Sequence, residues 1–192
     1  MESLTPQQIY RKVAAGEATT PDKGESVRRH VIVVRLENSI GALNRVINMF
    51  SQRGFNLESL SVGETDDPSI SRMTLVTTGN DRIIGQVLRQ LDNLVDTLIV
   101  DDVTMEDYVE RELCLLKLAC DEKNRGALMD ILNIFRGKVV NITPDSITFE
   151  LTGPTTKINA FIGMVSDYKI LELARSGRVA MRRTLIFESE SN

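Results

Sequence analysis

Asn38-Ser39-Ile40-Gly41-Ala42-Leu43 is the stretch whose residue types and spacing suit chemistry best. A side-chain amide and a hydroxyl stand just ahead of a glycine, and the glycine opens a helical pattern. Leu43, Val46, Ile47 and Phe50 follow at i, i+3, i+4 and i+7. The first amides of a helix have no partner within it and carry the positive end of its dipole. With Gly41 leaving the backbone uncovered, they offer a seat for a small anion such as a carboxylate. Asn38 or Ser39 is placed to cap the helix, so the same residues also describe an ordinary capped turn. Ser39 has no neighbouring base to activate it, so the chemistry is binding rather than bond-making.

A turn of this kind needs a strand in front of it. His30-Val-Ile-Val-Val-Arg-Leu36 supplies an apolar run that reads as a buried strand. Downstream the pattern predicts β-α-β-β-α-β. Strand one is Val31–Leu36, and helix one runs about Gly41–Arg53, stopped by Gly54. Strand two is about Leu57–Glu64, Asp66-Asp67-Pro68-Ser69 is a turn, and strand three is about Ser71–Thr78. Gly79-Asn80-Asp81 opens helix two, striped by Ile84, Val87, Leu88 and Leu91, and strand four is about Asp96–Val103. This is the order of a ferredoxin-like sheet with both helices on one face.

The second half repeats the first. Gly41-Ala42-Leu43…Val46-Ile47-Asn48-Met49-Phe50 matches Gly126-Ala127-Leu128…Ile131-Leu132-Asn133-Ile134-Phe135 at an offset of 85. The same offset carries Val31 onto Leu116, Val33 onto Leu118, and Phe55-Asn56-Leu57 onto Val140-Asn141-Ile142. Two copies of one supersecondary unit follow. Copy two continues with a strand over Ser146–Thr152, a helix over Thr155–Val165 and a last strand about Lys169–Ala174, extended by Arg178–Arg183. In this register Lys123 replaces Asn38, so copy one is the better candidate for a ligand. The expected class is α+β, two ferredoxin-like βαββαβ domains at 28–105 and 106–192. A polar arm, 1–27, precedes them, with a short helical pattern between Thr5 and Gly16 and a linker after it.

Composition narrows the function. The chain has 192 residues, 42% hydrophobic and 26% charged, with net charge −4. This is the balance of a globular protein with no bias toward nucleic acid or anionic membrane. The expected central strands lack the aromatics that ferredoxin-like RNA binders stack on bases. Arg175, Arg178, Arg182 and Arg183 form a basic cluster that reads as a solvated face or protein contact. No apolar run approaches the ~20 residues of a membrane span, and no signal-peptide core opens the chain, so a cytoplasmic location is expected. Cys114 and Cys120 fall in one expected strand roughly 20 Å apart, beyond disulfide reach. The lone His30 has no Cys or His near it in sequence, which argues against a zinc site or a His-based triad. Asp66-Asp67 and Asp101-Asp102 read as exposed charge rather than as metal or catalytic pairs.

Several stretches resemble the small, regulatory subunit of acetohydroxyacid synthase (acetolactate synthase). They are Leu-Glu-Asn-Ser-Ile-Gly-Ala-Leu-Asn-Arg-Val (36–46), Phe-Ser-Gln-Arg-Gly-Phe-Asn-Leu-Glu-Ser-Leu (50–60), Thr-Asp-Asp-Pro-Ser (65–69) and Ser-Arg-Met-Thr (71–74). Val-Glu-Arg-Glu-Leu (109–113), Ile-Phe-Arg-Gly-Lys-Val-Val-Asn-Ile-Thr-Pro (134–144) and Ala-Arg-Ser-Gly (174–177) extend the match over about residues 29–183. The resemblance implies an N-terminal ACT domain, a C-terminal ACT-like domain and a homodimer through paired ACT domains. It implies no cofactor on this chain and a large catalytic subunit as partner, holding thiamine diphosphate, magnesium and FAD. It further implies that the chain activates that subunit and transmits feedback inhibition by a branched-chain amino acid, most often valine. Asn38, Gly41, Ala42 and Leu43 would line the effector site from one subunit, and Asn56 and Leu57 would close it from the other. Gly63 and Gln86 match positions associated with effector sensitivity. Ile40 and Asn44 depart from the family's usual small polar residue and serine. A tandem-ACT regulator of another partner is the alternative.

Overall fold

The computed structural model describes residues 27–184 and divides them into two units. One comprises the chain up to Val109 together with the segment from Ala180 on; the other is Glu110–Val179. The helical pattern expected between Thr5 and Gly16 lies outside the described residues.

The first unit has the expected element order. Strand β1 (Arg28–Glu37) leads to helix α1 (Ala42–Gln52), then to β2 (Ser59–Glu64), β3 (Ile70–Gly79), α2 (Asp81–Asp92) and β4 (Thr97–Asp102). The sheet order is β2-β3-β1-β4, antiparallel throughout. Ile32, Val34 and Leu36 point from β1 into a core with Met73 and Leu75 of β3, Val46, Met49 and Phe50 of α1, and Val87 and Leu91 of α2. The intervening Val31 and Val33 are buried on the opposite face with Val76, Val103 and Ala180. Burial on both faces explains why β1 reads as a continuous apolar run rather than an alternation. Ala180 is held there by its amide on Thr74 Oγ1 at 3.3 Å and by Arg72 Nη2 on its carbonyl at 2.8 Å. Burial, with Arg35 beside it, pulls the Arg72 guanidinium pKa below its ordinary value. Helix α1 ends in a Schellman motif: Gly54, at φ +69°, donates to the Ser51 carbonyl and Phe55 to that of Phe50. Asn80 caps α2, its side chain accepting from the Ile83 amide at 2.8 Å.

The second unit contains most of β5 (Tyr108–Ala119), then α3 (Arg125–Ile134), β6 (Lys138–Ile142), β7 (Ser146–Gly153), α4 (Thr155–Met164) and β8 (Ile170–Arg175). These strands follow the order β6-β7-β5-β8, the same topology again. Cys114, Leu116 and Leu118 of β5 pack on Leu128, Leu132, Phe149 and Phe161. The Phe161 ring meets Phe135 and Phe149 edge-on. Cys114 and Cys120 are buried and free, and burial pushes the Cys114 thiol up to about 11. The last strand is not extended as expected. Gly177, at φ +76°, turns the chain after Arg175, and a separate strand β9 (Val179–Arg182) follows.

The repeat is real, but its register is not 85. Ile32, Val34 and Leu36 correspond in place to Cys114, Leu116 and Leu118, each pair 82 positions apart. At the same spacing Val46 and Phe50 correspond to Leu128 and Leu132, and Gly54 at φ +69° to Arg136 at φ +52°. The bond from Phe55 to the Phe50 carbonyl recurs as Gly137 to Leu132, and that from Asn38 to Ser69 recurs as Cys120 to Asp145. The expected pairing of Val31 with Leu116 would join opposite faces of the two sheets, because an odd slip exchanges strand faces. A slip of three is close to one helical turn, so the helix stripes overlap in either register and disguise the error.

Candidate functional site

The β1–α1 turn is built by long-range bonds. The Asn38 amide donates to the Ser69 carbonyl at 2.7 Å, and Asn38 Nδ2 donates to the Pro68 carbonyl at 2.9 Å and to Glu64 Oε1 at 3.3 Å. Asn38 thus ties the turn to the β2–β3 hairpin. Ser39 Oγ donates to Asp96 Oδ1 at 3.0 Å, and Asp96 also receives Arg45 side-on, through Nε and through Nη2 at 2.7 Å. Arg45, together with Ser39, holds the buried Asp96 carboxyl below its ordinary range, and Asp96 raises the arginine in return.

Neither Asn38 nor Ser39 caps the helix, contrary to the sequence expectation. Both side chains are committed elsewhere, and Gly41 takes the N-cap position at φ +90° with no side-chain cap. Its φ lies in the left-handed region that favours glycine. The Ala42 amide folds back on the Ser39 carbonyl at 3.2 Å, and the Arg45 amide starts the helical ladder on Gly41 at 3.0 Å. The amides of Leu43 and Asn44 lie between them, without an acceptor inside the helix. An uncapped helix start beside a residue with no side chain can bind a small carboxylate.

The structure brings Asn38, Gly41, Ala42 and Leu43 together. Ala42 is buried, Leu43 is partly exposed and Ile40 fully exposed. Asn56 and Leu57 lie beyond the far end of α1, an 11-residue helix spanning about 16 Å. Within one chain they are therefore not part of this turn. The Asn56 carbonyl accepts from Thr77 Oγ1 at 2.6 Å, and Leu57 packs on the core. Gly63 sits on β2 opposite Arg72, next to the Glu64 that Asn38 reaches, and Gln86 is exposed on α2. Asp67 organises the hairpin by accepting the Ser69 hydroxyl and amide, which lower its pKa. Sequence reasoning missed Arg45 and Asp96. Arg45 is one helical turn from Gly41, a usable signal, but no local pattern links it to a carboxylate just ahead of β4.

The matching turn of the second unit is different, and so is its alignment. In the observed register Cys120 stands where Asn38 does, Asp121 where Ser39 does and Ala127 where Arg45 does; Lys123 does not replace Asn38. Asp121 Oδ1 accepts from the Lys123 amide at 3.0 Å and the Asn124 amide at 2.9 Å, while Asn124 Oδ1 takes the Asp121 amide at 2.9 Å. A carboxylate of the protein itself occupies that turn. A shallow cleft of about 390 Å³ adjoins it, lined in part by Asp145, Asp167, Tyr168 and Lys169.

The basic cluster is internally neutralised. Arg175 grips the buried Glu112 through two bonds of 2.6 and 2.7 Å, and Arg178 meets Glu110. Arg182 meets Asp101, and Arg183 meets Asp107. The first of these mirrors a pair in the other unit with its polarity reversed: His30 Nδ1 lies 2.9 Å from Asp102 Oδ2. Burial would raise the Asp102 pKa, but bonds from Thr104 and His30 outweigh it and hold the carboxyl low.

Two family models match the chain. "AHAS small subunit-like ACT domain" covers residues 32–99, and "Small subunit of acetolactate synthase" covers 111–184. The chain is 44% identical to the acetolactate synthase small subunit of Aquifex aeolicus over 92% of its own length and 94% of the relative's. It is also 44% identical to the small subunit of acetolactate synthase isozyme 3 of Escherichia coli, over 81% of this chain and 96% of that one. A crystal structure of the small subunit from Thermotoga maritima superimposes with a TM-score of 0.75 at 34% identity, covering 83% of this chain and 99% of that one.

Proposed function

The chain belongs to the acetolactate synthase small-subunit family, and on that premise we propose that it is a non-catalytic regulator. It activates a large catalytic subunit and confers feedback inhibition by a branched-chain amino acid, valine first among them. Catalysis, with thiamine diphosphate, magnesium and FAD, belongs to the partner.

The observation that carries the effector reading is the uncapped start of α1 at Gly41. The ligand's carboxylate lies on the amides of Leu43 and Asn44. Asn38 donates its Nδ2 to Pro68, which leaves Oδ1 as the acceptor for an ammonium. The aliphatic side chain rests on Leu43, and Asn56 and Leu57 of a second copy close the pocket. A site shared by two copies gives the ligand different affinities for different dimer arrangements, which any allosteric effect requires.

The test is reconstitution with the large subunit. Acetolactate formation is assayed with and without this chain, and with valine, leucine and isoleucine separately. Stimulation by the chain and inhibition by one of the three are expected. Failure to associate with any large subunit favours a tandem-ACT regulator of another partner. A monomeric mass in sedimentation, with and without valine, removes the shared pocket.

A further inference from the structure

We propose that Arg45 is a ligand-binding residue of the effector site, supplying the charged donor to the effector's carboxylate, and that Asp96 is its positioning residue. The assignment rests on the effector reading given above. Arg45 lies in the first turn of α1, where a cation stands beside the positive end of the helix dipole, an unfavourable place for it. A salt bridge alone does not require that place. What the position does provide is reach: Arg45 folds back over Gly41, and its Nη1 lies 3.2 Å from where a Cβ on that glycine would stand.

The guanidinium is oriented as well as close. Asp96 takes Nε and Nη2, and is itself buried and steadied by Ser39. A guanidinium has five donors in a rigid plane, so fixing one edge aims the Nη1 side. Here that side lies over Gly41, at the start of the helix. The site then has two kinds of donor for one carboxylate, neutral amides and a cation, and charge-assisted bonds are the stronger kind. Glycine at 41 serves both, since a side chain there would crowd Nη1 and strain the backbone.

The second unit supplies an independent comparison. Its turn has Ala127 in the place of Arg45 and Lys169 in the place of Asp96, and its own cations stand elsewhere: Lys123 precedes the helix, and Arg125 donates to the Thr143 and Pro144 carbonyls. That turn is filled by the Asp121 carboxylate. Where no arginine stands at that helix position, the protein's own carboxylate occupies the turn. Where Arg45 stands, no carboxylate among the described residues caps the helix.

The experiment separates binding from scaffolding by changing both partners. L-valine and L-valinamide, which lacks the carboxylate charge, are titrated calorimetrically into the full chain with its large subunit, at mildly acidic pH. Parent, Arg45→Gln, Arg45→Lys and Asp96→Asn are compared. The parent should prefer valine over valinamide. Arg45→Gln should lower valine affinity by about 10- to 100-fold, the range for one charge-assisted hydrogen bond, and change valinamide affinity by no more than about threefold. Arg45→Lys should fall between, because a flexible point charge cannot hold Asp96 side-on and still reach the ligand. Asp96→Asn should also erode the preference, with the arginine intact. Equal loss for both ligands would assign Arg45 a scaffolding role and overturn the proposal, and so would an unchanged valine-to-valinamide ratio. Should Arg45→Gln not fold, Arg45→Lys carries the same comparison. A parent chain that binds none of valine, leucine or isoleucine overturns the effector reading, and this assignment with it.

Discussion

Gly41 concentrates two demands in one position. Its φ of +90° places it where an L side chain is strained, and its missing Cβ keeps the helix start open. Gly41→Asp should therefore cost about 1–3 kcal/mol of folding stability from backbone strain. It should also place a carboxylate against Arg45 and the first amides of α1. The expected phenotype is an enzyme that is still activated but resists valine, seen in a valine titration of the reconstituted complex. Gly41→Ala is the control, carrying the strain without the charge. Unchanged inhibition in Gly41→Asp would place the effector elsewhere. Asp96 invites a second test. Its pKa is lowered by Arg45 and Ser39, so its contribution to stability is fully present above the unfolded value of about 3.9 and is lost as pH falls through the lower folded value. Urea unfolding followed from neutral to acid pH should show a shallower acid loss in Asp96→Asn than in the parent. Parallel curves would mean that the pair contributes nothing to the fold.

The elements themselves were largely legible in the sequence, because most announce themselves locally. Strand β1 is a continuous apolar run, α1 and α2 carry helical stripes, and Asn80 and Gly54 mark helix ends by their chemistry. The contacts that build the site were not legible. Asn38 to Pro68, Ser39 to Asp96 and Arg45 to Asp96 join residues 30 to 57 positions apart, where no periodicity reaches. Such bonds also removed Asn38 and Ser39 from the capping role that local spacing suggested. The repeat was seen but misregistered, because helix stripes tolerate a slip of about one turn whereas strand faces do not. The corrected register makes a prediction of its own. Arg136 occupies the left-handed position at the end of α3 that Gly54 occupies at the end of α1. A non-glycine residue there is disfavoured by about 1–2 kcal/mol. Arg136→Gly should thus stabilise the protein by about 0.5–1 kcal/mol once the greater freedom of glycine in the unfolded chain is subtracted. Chemical denaturation of parent and variant decides it, and a loss of stability would show that the Arg136 side chain contributes more than its backbone costs.

At the scale of the whole chain, the first unit is discontinuous in sequence. Val31, Val33 and Val76 are covered on their outer face by Ala180, which arrives only after the whole of Glu110–Val179 has been traversed. Arg182 adds a two-armed bond to Asp101 on β4, and the Arg183 amide reaches the Asp107 carbonyl at 2.9 Å. A chain cut after Tyr108 loses all of this. It should lose about 2–3 kcal/mol, the scale of one or two valine side chains returned to water together with the unpaired Arg72. A sounder version keeps residues 1–109 and 180–192 and replaces 110–179 with a short glycine-rich turn. The two ends to be joined are already neighbours, since Arg183 bonds to Asp107. This joined chain should unfold at a higher urea concentration than the cut one and should bind valine as the full chain does, because Asn38, Gly41, Arg45 and Asp96 all lie in the part retained. Its activation of the large subunit should fall below that of the full chain, if the second unit serves the partner rather than the effector. Full activation by the joined chain would give both tasks to the first unit. Loss of valine binding in a joined chain that still unfolds cooperatively would show that the second unit takes part in the effector site.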